Sequence, residues 1–331
     1  MREISIRTGV LSALAAALAL AAPAETLRAQ NPQTRPQQQD EQRADDVYQL
    51  GTELVVLDVS VVDRGNRPVF NIARDQFQVL EDGAPQTIEF FSREQAPVSM
   101  ALAIDTSGSM RTKLESVTQA ATNLVRTNQA QDETAVIEFK DTIELVEEFT
   151  SNESDVEDAL ADLIANGQTS LLDAIMLASD YVQKDGKHRR KALVLVSDGL
   201  EKGSYYSLEQ VVDHMREMDV RLYLIGFTQD LDGDGGLFKK SQKEKAEGLI
   251  KKLAEETGGR SFFPKDISEL GPITDQIAAD LRTVYAIGYY PSNTKKDGTF
   301  RRVEVKVLDE SRKPDTKFAA RTRSGYVADR Q

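Results

Sequence analysis

The sequence predicts an α/β fold: a doubly wound, mostly parallel sheet, with an accessory β-sandwich-like module built from the two flanks of the chain. Three observations predict it. Short, nearly continuous apolar runs at Val98 to Ile104, Ala192 to Val196 and Val220 to Phe227 have the pattern of strands covered on both faces. Between them, apolar residues recur at helical spacing, so strands and helices alternate as in a wound sheet. Outside residues 97–285 the helical period vanishes and apolar residues alternate with polar ones.

Taken in order, residues 1–29 read as a secretory signal peptide. Arg2 and Arg7 precede an apolar run from Val10 to Ala22, and small residues suit cleavage after Ala24 or Ala29. An uncleaved anchor is the alternative reading. Either way the chain is expected to be secreted, or periplasmic and associated with the cell envelope, with no transmembrane segment after the signal. Residues 30–47 are rich in Gln, Asn, Pro and charge, and are expected to be a disordered linker because they have too little apolar surface to offset ordering.

An N-terminal β segment, 48–96, follows. Val55, Leu57, Val59 and Val61 alternate between Thr52 and Val62, and a turn-rich break runs from Asp63 to Pro68. Strands at Gln76 to Leu80 and Gln86 to Phe91 bracket Glu81-Asp82-Gly83-Ala84, where Asp-Gly is a strong hairpin signal.

The central region, 97–285, begins with the strand Val98 to Ile104 and a helix carrying Leu114, Val117, Ala121, Leu124 and Val125. A strand pair follows, Ala135 to Phe139 and Ile143 to Phe149, then helices at Ser154 to Ile164 and Leu171 to Val182. Strands at Ala192 to Val196 and Val220 to Phe227 enclose a helix from Ser207 to Met218. A helix from Lys243 to Glu256 stops at Gly258-Gly259, and a short strand, Arg260 to Phe263, precedes a last helix from Ile267 to Thr283. The C-terminal β segment, 286–331, continues a strand begun at Val284 and adds strands at Phe300 to Leu308 and Phe318 to Val327. The two flanks are expected to pair into one sandwich, with the central region inserted between them.

Composition narrows the chemistry. A net charge of −13 argues against a nucleic-acid partner, which needs a basic footprint. The absence of cysteine excludes disulfides, thiolate metal sites and cysteine nucleophiles. What stands out is oxygen. Asp105, Ser107 and Ser109 sit at alternate positions just beyond a buried strand, where alternation turns them toward one point, and Gly108 lets the loop bend. Ser197-Asp198-Gly199 places a carboxylate at the end of the fourth central strand, and Gly167-Gln168-Thr169-Ser170 offers a third oxygen source before a helix. Asp-x-Ser-x-Ser alone is equally well a turn and helix cap.

Together, Asp105, Ser107, Ser109, Thr169 and Asp198 resemble the metal-ion-dependent adhesion site of the von Willebrand factor A family, and the order of elements across 97–285 agrees with its Rossmann-like fold. The flanks are similar to those of bacterial, acidobacterial-type secreted proteins with this domain. The resemblance implies direct coordination of one divalent cation by Ser107 and Ser109, with Thr169 direct or through water and Asp105 and Asp198 mostly through bridging waters. Gln168 departs from the glycine frequent there. Mg²⁺ is the expected cation, with Mn²⁺ or Ca²⁺ as alternatives. Hard cations prefer oxygen donors, and neutral hydroxyls leave more of the cation's charge unquenched. The implied function is protein binding or adhesion, in which a partner's Glu or Asp completes the cation's shell.

Asp230, Asp232 and Asp234 carry the D-x-D-x-D-G spacing of a calcium loop, but the twelfth position is Ser241, where a bidentate acid is needed. A second calcium site and a solvated acidic loop both fit. Tyr205 and Tyr206 are candidates for an aromatic rim near Asp198, with packing against the next helix as the alternative. The basic run Lys187 to Lys191 reads as a solvated turn, and His188 and His214 suggest nothing catalytic.

No enzyme is expected. A Mg²⁺-dependent phosphohydrolase of the phosphoaspartate kind needs a carboxylate two residues beyond its nucleophile, and that position is Ser107. A structural or assembly subunit of an envelope complex, stabilised by its metal, is the stronger rival.

Overall fold

Alternation at the N-terminal flank produces β1 (Val55–Asp63), whose Val55, Leu57, Val59 and Val61 point into an apolar core. The computed structural model describes residues 53–93, 95–231 and 241–330. The signal segment 1–29, the linker 30–47, Asp232 and Asp234 lie outside the described residues. β2 (Phe77–Glu81) turns at Asp82-Gly83 into β3 (Ala84–Gln86), and β4 (Ile88–Ser92) follows.

The central region then runs β5 (Val98–Asp105), α1 (Leu114–Val125), β6 (Glu133–Phe139), β7 (Ile143–Thr150), α2 (Glu153–Ala161), α3 (Leu171–Asp185) and β8 (Arg190–Ser197). It continues with α4 (Leu208–Glu217), β9 (Val220–Gly226), α5 (Gln242–Glu256), β10 (Arg260–Phe262) and α6 (Leu270–Arg282). Side chains of Asn152, Ser207 and Ser241 accept backbone N–H groups at the starts of α2, α4 and α5, satisfying donors that have no partner inside the helix. The six strands lie in the order β10-β9-β8-β5-β6-β7, parallel except for β7. One face packs under α1, α2 and α6, with Leu102, Ile104, Leu124 and Ile277 buried there. The other packs under α3, α4 and α5, with Leu195, Ile175 and Leu253. This is the doubly wound arrangement, and the C-terminal ends of β5 and β8 lie side by side.

The chain closes with β11 (Tyr285–Tyr289), β12 (Phe300–Val307), β13 (Phe318–Arg321) and β14 (Gly325–Val327). These join the N-terminal strands in two antiparallel sheets, ordered β13-β1-β11-β4 and β14-β12-β2-β3. Leu57, Val59, Val79, Ile287, Tyr289 and Val305 share one core between them. Deep inside, the buried Glu81 carboxylate accepts hydrogen bonds from the Tyr289 and Tyr326 hydroxyls, both at 2.9 Å.

Several boundaries differ from the sequence reading. The expected strand Gln86 to Phe91 divides at Thr87: β3 stays on β2 at a sheet edge, where Pro85 needs no amide donor, and β4 crosses to β11 in the other sheet. Phe318 to Val327 divides in the same way, β13 serving β1 and β14 serving β12. α2 stops at Ala161, so Leu163 and Ala165 turn inward and Ile164 outward. The last helix begins as a 3-10 turn at Ile267–Glu269.

The basic run Lys187 to Lys191 is not a solvated turn throughout. Arg190 opens β8 with its side chain buried, and Arg189 and Arg190 reach Asp58 of β1 at 2.7 and 3.4 Å. Arg221 donates to the Asp58 carbonyl at 2.7 Å. An ionic seam therefore joins the central domain to the sandwich. At the same seam, just past the end of α5, Gly258 has a φ of +70° and approaches the Thr322 backbone too closely to leave room for a side chain. Among the described residues no helix is long and apolar enough to cross a membrane.

Candidate metal centre

Asp105 ends β5 fully buried, and its two oxygens have different duties. Oδ1 accepts the Ser107 amide at 2.9 Å, which folds the chain into a tight turn, and Oδ2 accepts the Ser197 hydroxyl at 2.6 Å. A 3-10 turn, Gly108–Met110, follows Ser107, and the buried Met110 pins it so that Ser109 faces outward. The Ser107 and Ser109 hydroxyls are 3.0 Å apart.

The loop bearing Thr169 is stitched to this turn by backbone. Gly108 N–H donates to Gly167 O at 3.0 Å, and Asn166 N–H to Thr106 O at 2.7 Å. Asp141 receives the Gln168 amide at 3.1 Å. Gly167 has φ +76°, and a side chain there would collide with the Asp141 carboxylate, so glycine answers both strain and space. The third loop arrives through Ser197. While donating to Asp105, its hydroxyl accepts the Gly199 amide at 3.0 Å, and Asp198 accepts the Leu200 amide at 3.0 Å. Lys202 N–H closes the ring on Thr169 O at 3.3 Å.

The three loops that bear Asp105, Ser107 and Ser109, Thr169, and Asp198 thus meet at the C-terminal end of the sheet, with all five residues but Ser109 buried. Burial pushes the Asp105 carboxyl up to about 6; hydrogen bonds from Ser107 and Ser197 pull against that, and the charge of Asp198 adds to it. Such a value marks negative charge held where compensation is scarce, and a cation is what would compensate it.

The donor set fits a hard cation on a second count. The Ser107 and Ser109 hydroxyls share a hydrogen bond at 3.0 Å, a spacing that adjacent oxygens around Mg²⁺, each about 2.1 Å from the ion, also have. Among the described residues no group of three or more His, Asp or Glu is arranged to hold a metal.

The other candidates separate. Asp230 is on the surface, ion-paired to Lys113 at 2.6 Å, while Asp232 and Asp234 lie outside the described residues. Tyr205 is 85% exposed, and Tyr206 is half-buried against the core and edge-on to it, ring centres 5.2 Å apart. Both tyrosine amides donate to Asp173 at 3.0 Å. Glu201 accepts the Leu172 amide at the start of α3. Ser197, Asp173 and Glu201 are supporting residues that the sequence reading missed. Only Ser197 had a signal, a hydroxyl directly before a strand-terminal aspartate.

The family model described as von Willebrand factor type A domain matches residues 100–201. No curated protein matches the chain. Among solved structures, similarity extends to a von Willebrand factor type A protein from Catenulispora acidiphila, at 12% identity over 85% of this chain and 76% of that one, TM-score 0.49. A conserved hypothetical protein, BatB, from Bacteroides thetaiotaomicron is 17% identical over 56% of this chain and 100% of its own, TM-score 0.43. The vWF domain of the type V pili tip protein Mfa5 from Porphyromonas gingivalis is 12% identical over 56% and 94%, TM-score 0.44.

Proposed function

Taking residues 100–201 as a von Willebrand factor type A domain, we propose that this protein is an extracytoplasmic protein-binding or assembly module, and that its ligand docks at the mouth formed by Asp105, Ser107, Ser109, Thr169 and Asp198. One observation supports the reading: Ser197 and the Gly108–Gly167 backbone bond join three separate loops, each of which bears oxygen donors. A bound divalent cation, Mg²⁺ first among them, supplies a coordination position that takes a partner's Glu or Asp. Ser107, Ser109 and Thr169 are the hydroxyls suited to hold it. Asp105 has both oxygens engaged, which suits a role through water, and Asp198 supplies the second negative charge. Tyr205, exposed beside the mouth on a loop tied down by Asp173, is the first candidate for partner contact.

The experiment is affinity capture from the envelope fraction with Mg²⁺ and with chelator, using wild type and Ser107→Ala. A partner retained only by wild type with metal is the expected result. Capture indifferent to both chelator and substitution rejects the reading. A large effect of Mg²⁺ on melting without any metal-dependent partner favours a purely structural cation.

A further inference from the structure

The sequence holds one Asn-Gly pair, Asn166-Gly167, and it lies on the loop that bears Thr169. Glycine after asparagine matters chemically, because its nitrogen can reach the asparagine side chain with no Cβ in the way. Three structural observations leave that approach open. Asn166 is exposed, and its side-chain amide makes no hydrogen bond among the described residues. The Gly167 N–H donates to nothing among them, although the amides on either side are engaged, Asn166 by Thr106 O and Gln168 by Asp141. No helix or strand holds the pair.

Asp198-Gly199, on the neighbouring loop, could close the same kind of ring through its carboxyl but is protected. Asp198 is buried and accepts the Leu200 amide at 3.0 Å, and the Gly199 N–H is held by the Ser197 hydroxyl at 3.0 Å. Dipeptide chemistry alone therefore does not single out Asn166; its free amides do.

We propose that Asn166 is a site of spontaneous deamidation, and that its product loosens the junction between the Thr169 loop and the Asp105 turn. The Gly167 nitrogen attacks Asn166 Cγ and closes a succinimide ring. The Cγ–Nδ2 bond breaks, and the side-chain nitrogen leaves as ammonia with the proton that Gly167 gives up. Water then opens the ring at either carbonyl. Opening at the Cγ carbonyl leaves aspartate, and opening at the main-chain carbonyl leaves isoaspartate, whose backbone runs through Cγ.

Both products add a negative charge near the candidate cation ligands. Isoaspartate also inserts a methylene into the main chain between two bonds, Asn166 N–H to Thr106 O at 2.7 Å and Gly108 N–H to Gly167 O at 3.0 Å. Those are the backbone bonds that hold the loop to the turn, so a longer span between them shifts Thr169 against Ser107. The effect on a cation rests on the proposed function; the deamidation does not.

The test ages the purified full chain at mildly alkaline pH, with Asn166→Gln beside wild type, and maps peptide masses and enzymatic methylation of isoaspartate. The expected result is a gain of about one dalton at Asn166, about tenfold or more faster than at any other described asparagine. Asn166→Gln should lack it. The aged, more acidic fraction is then compared by Mg²⁺ calorimetry with fresh protein and with Asn166→Asp, which carries the charge without the methylene. Binding weaker by about tenfold is expected in the aged fraction, and no weakening in Asn166→Asp. An Asn166 that keeps its mass, or converts no faster than other asparagines, overturns the site. An aged fraction that binds like Asn166→Asp overturns the loosened junction. Fresh protein that binds no Mg²⁺ rejects the cation reading instead, and the peptide masses still decide the modification.

Discussion

Replacing Ser197 with alanine tests whether the mouth is built as described, because that one hydroxyl joins two of its three loops. It donates to Asp105 at 2.6 Å and accepts the Gly199 amide at 3.0 Å, and it is not itself among the proposed ligands. A hydrogen bond to a charged group contributes about 1.5–3 kcal/mol net. Losing it should lower urea stability by that order without unfolding the protein. Removing the support behind a metal ligand costs about 10–100-fold in affinity, or roughly 1.4–2.7 kcal/mol. Isothermal calorimetry with Mg²⁺ and with Mn²⁺ is the assay, on wild type, Ser197→Ala and Ser107→Ala. The expected order is wild type, then Ser197→Ala weaker by one to two decades, then Ser107→Ala weaker still. If Ser197→Ala binds within twofold of wild type while Ser107→Ala does not bind, Ser197 does not position Asp105 and the argument for a stitched mouth fails.

Gly167→Ala should cost about 1–2 kcal/mol for its left-handed backbone and more for the displaced Asp141, so cation affinity should drop at least tenfold; unchanged calorimetry would contradict the packing described. Tyr289→Phe and Tyr326→Phe should each lower urea stability by about 1.5–3 kcal/mol, and the double variant by more than the sum, because it strands the buried Glu81; strict additivity would refute the shared-carboxylate account. Burial alone would raise the Asp58 carboxyl, but Arg189, Arg190 and Arg221 outweigh it and hold it below its ordinary 3.8. Its contribution is therefore present above pH 3.8 and lost as pH falls through the lower folded value. Wild type should exceed Asp58→Asn in stability at pH 7 and converge with it under acid, and parallel curves from pH 7 to pH 2 would disprove the seam's ionic character.

Much of this architecture was legible because periodicity reports burial. The runs Val98 to Ile104 and Val220 to Phe227 are nearly continuously apolar because helices cover both faces of β5 and β9, whereas β1 alternates because only one of its faces meets the sandwich core. The oxygen donors were legible because chemistry confined to three short loops leaves a compact pattern. Strand sharing was not. Nothing in the sequence from Gln86 to Phe91 says that the chain changes sheets at Thr87, since that is settled by β11 and β2, which lie far apart in sequence. Arg190 was misread for a related reason. A basic run looks solvated until its partner is known, and Asp58 stands 132 residues away. Glu81 likewise shows no sign of burial until two tyrosines from the opposite flank arrive.

The pairing of the two flanks also has a consequence for biosynthesis. Glu81 leaves the ribosome 245 residues before Tyr326, its partner in the finished core, and the whole wound sheet is made in the interval. The central domain can complete itself while the early hairpin still shows an apolar face with nothing to cover it. Chains halted before β12 should therefore carry a finished binding domain with an adhesive tail, a state in which chaperone capture or premature aggregation competes with closure.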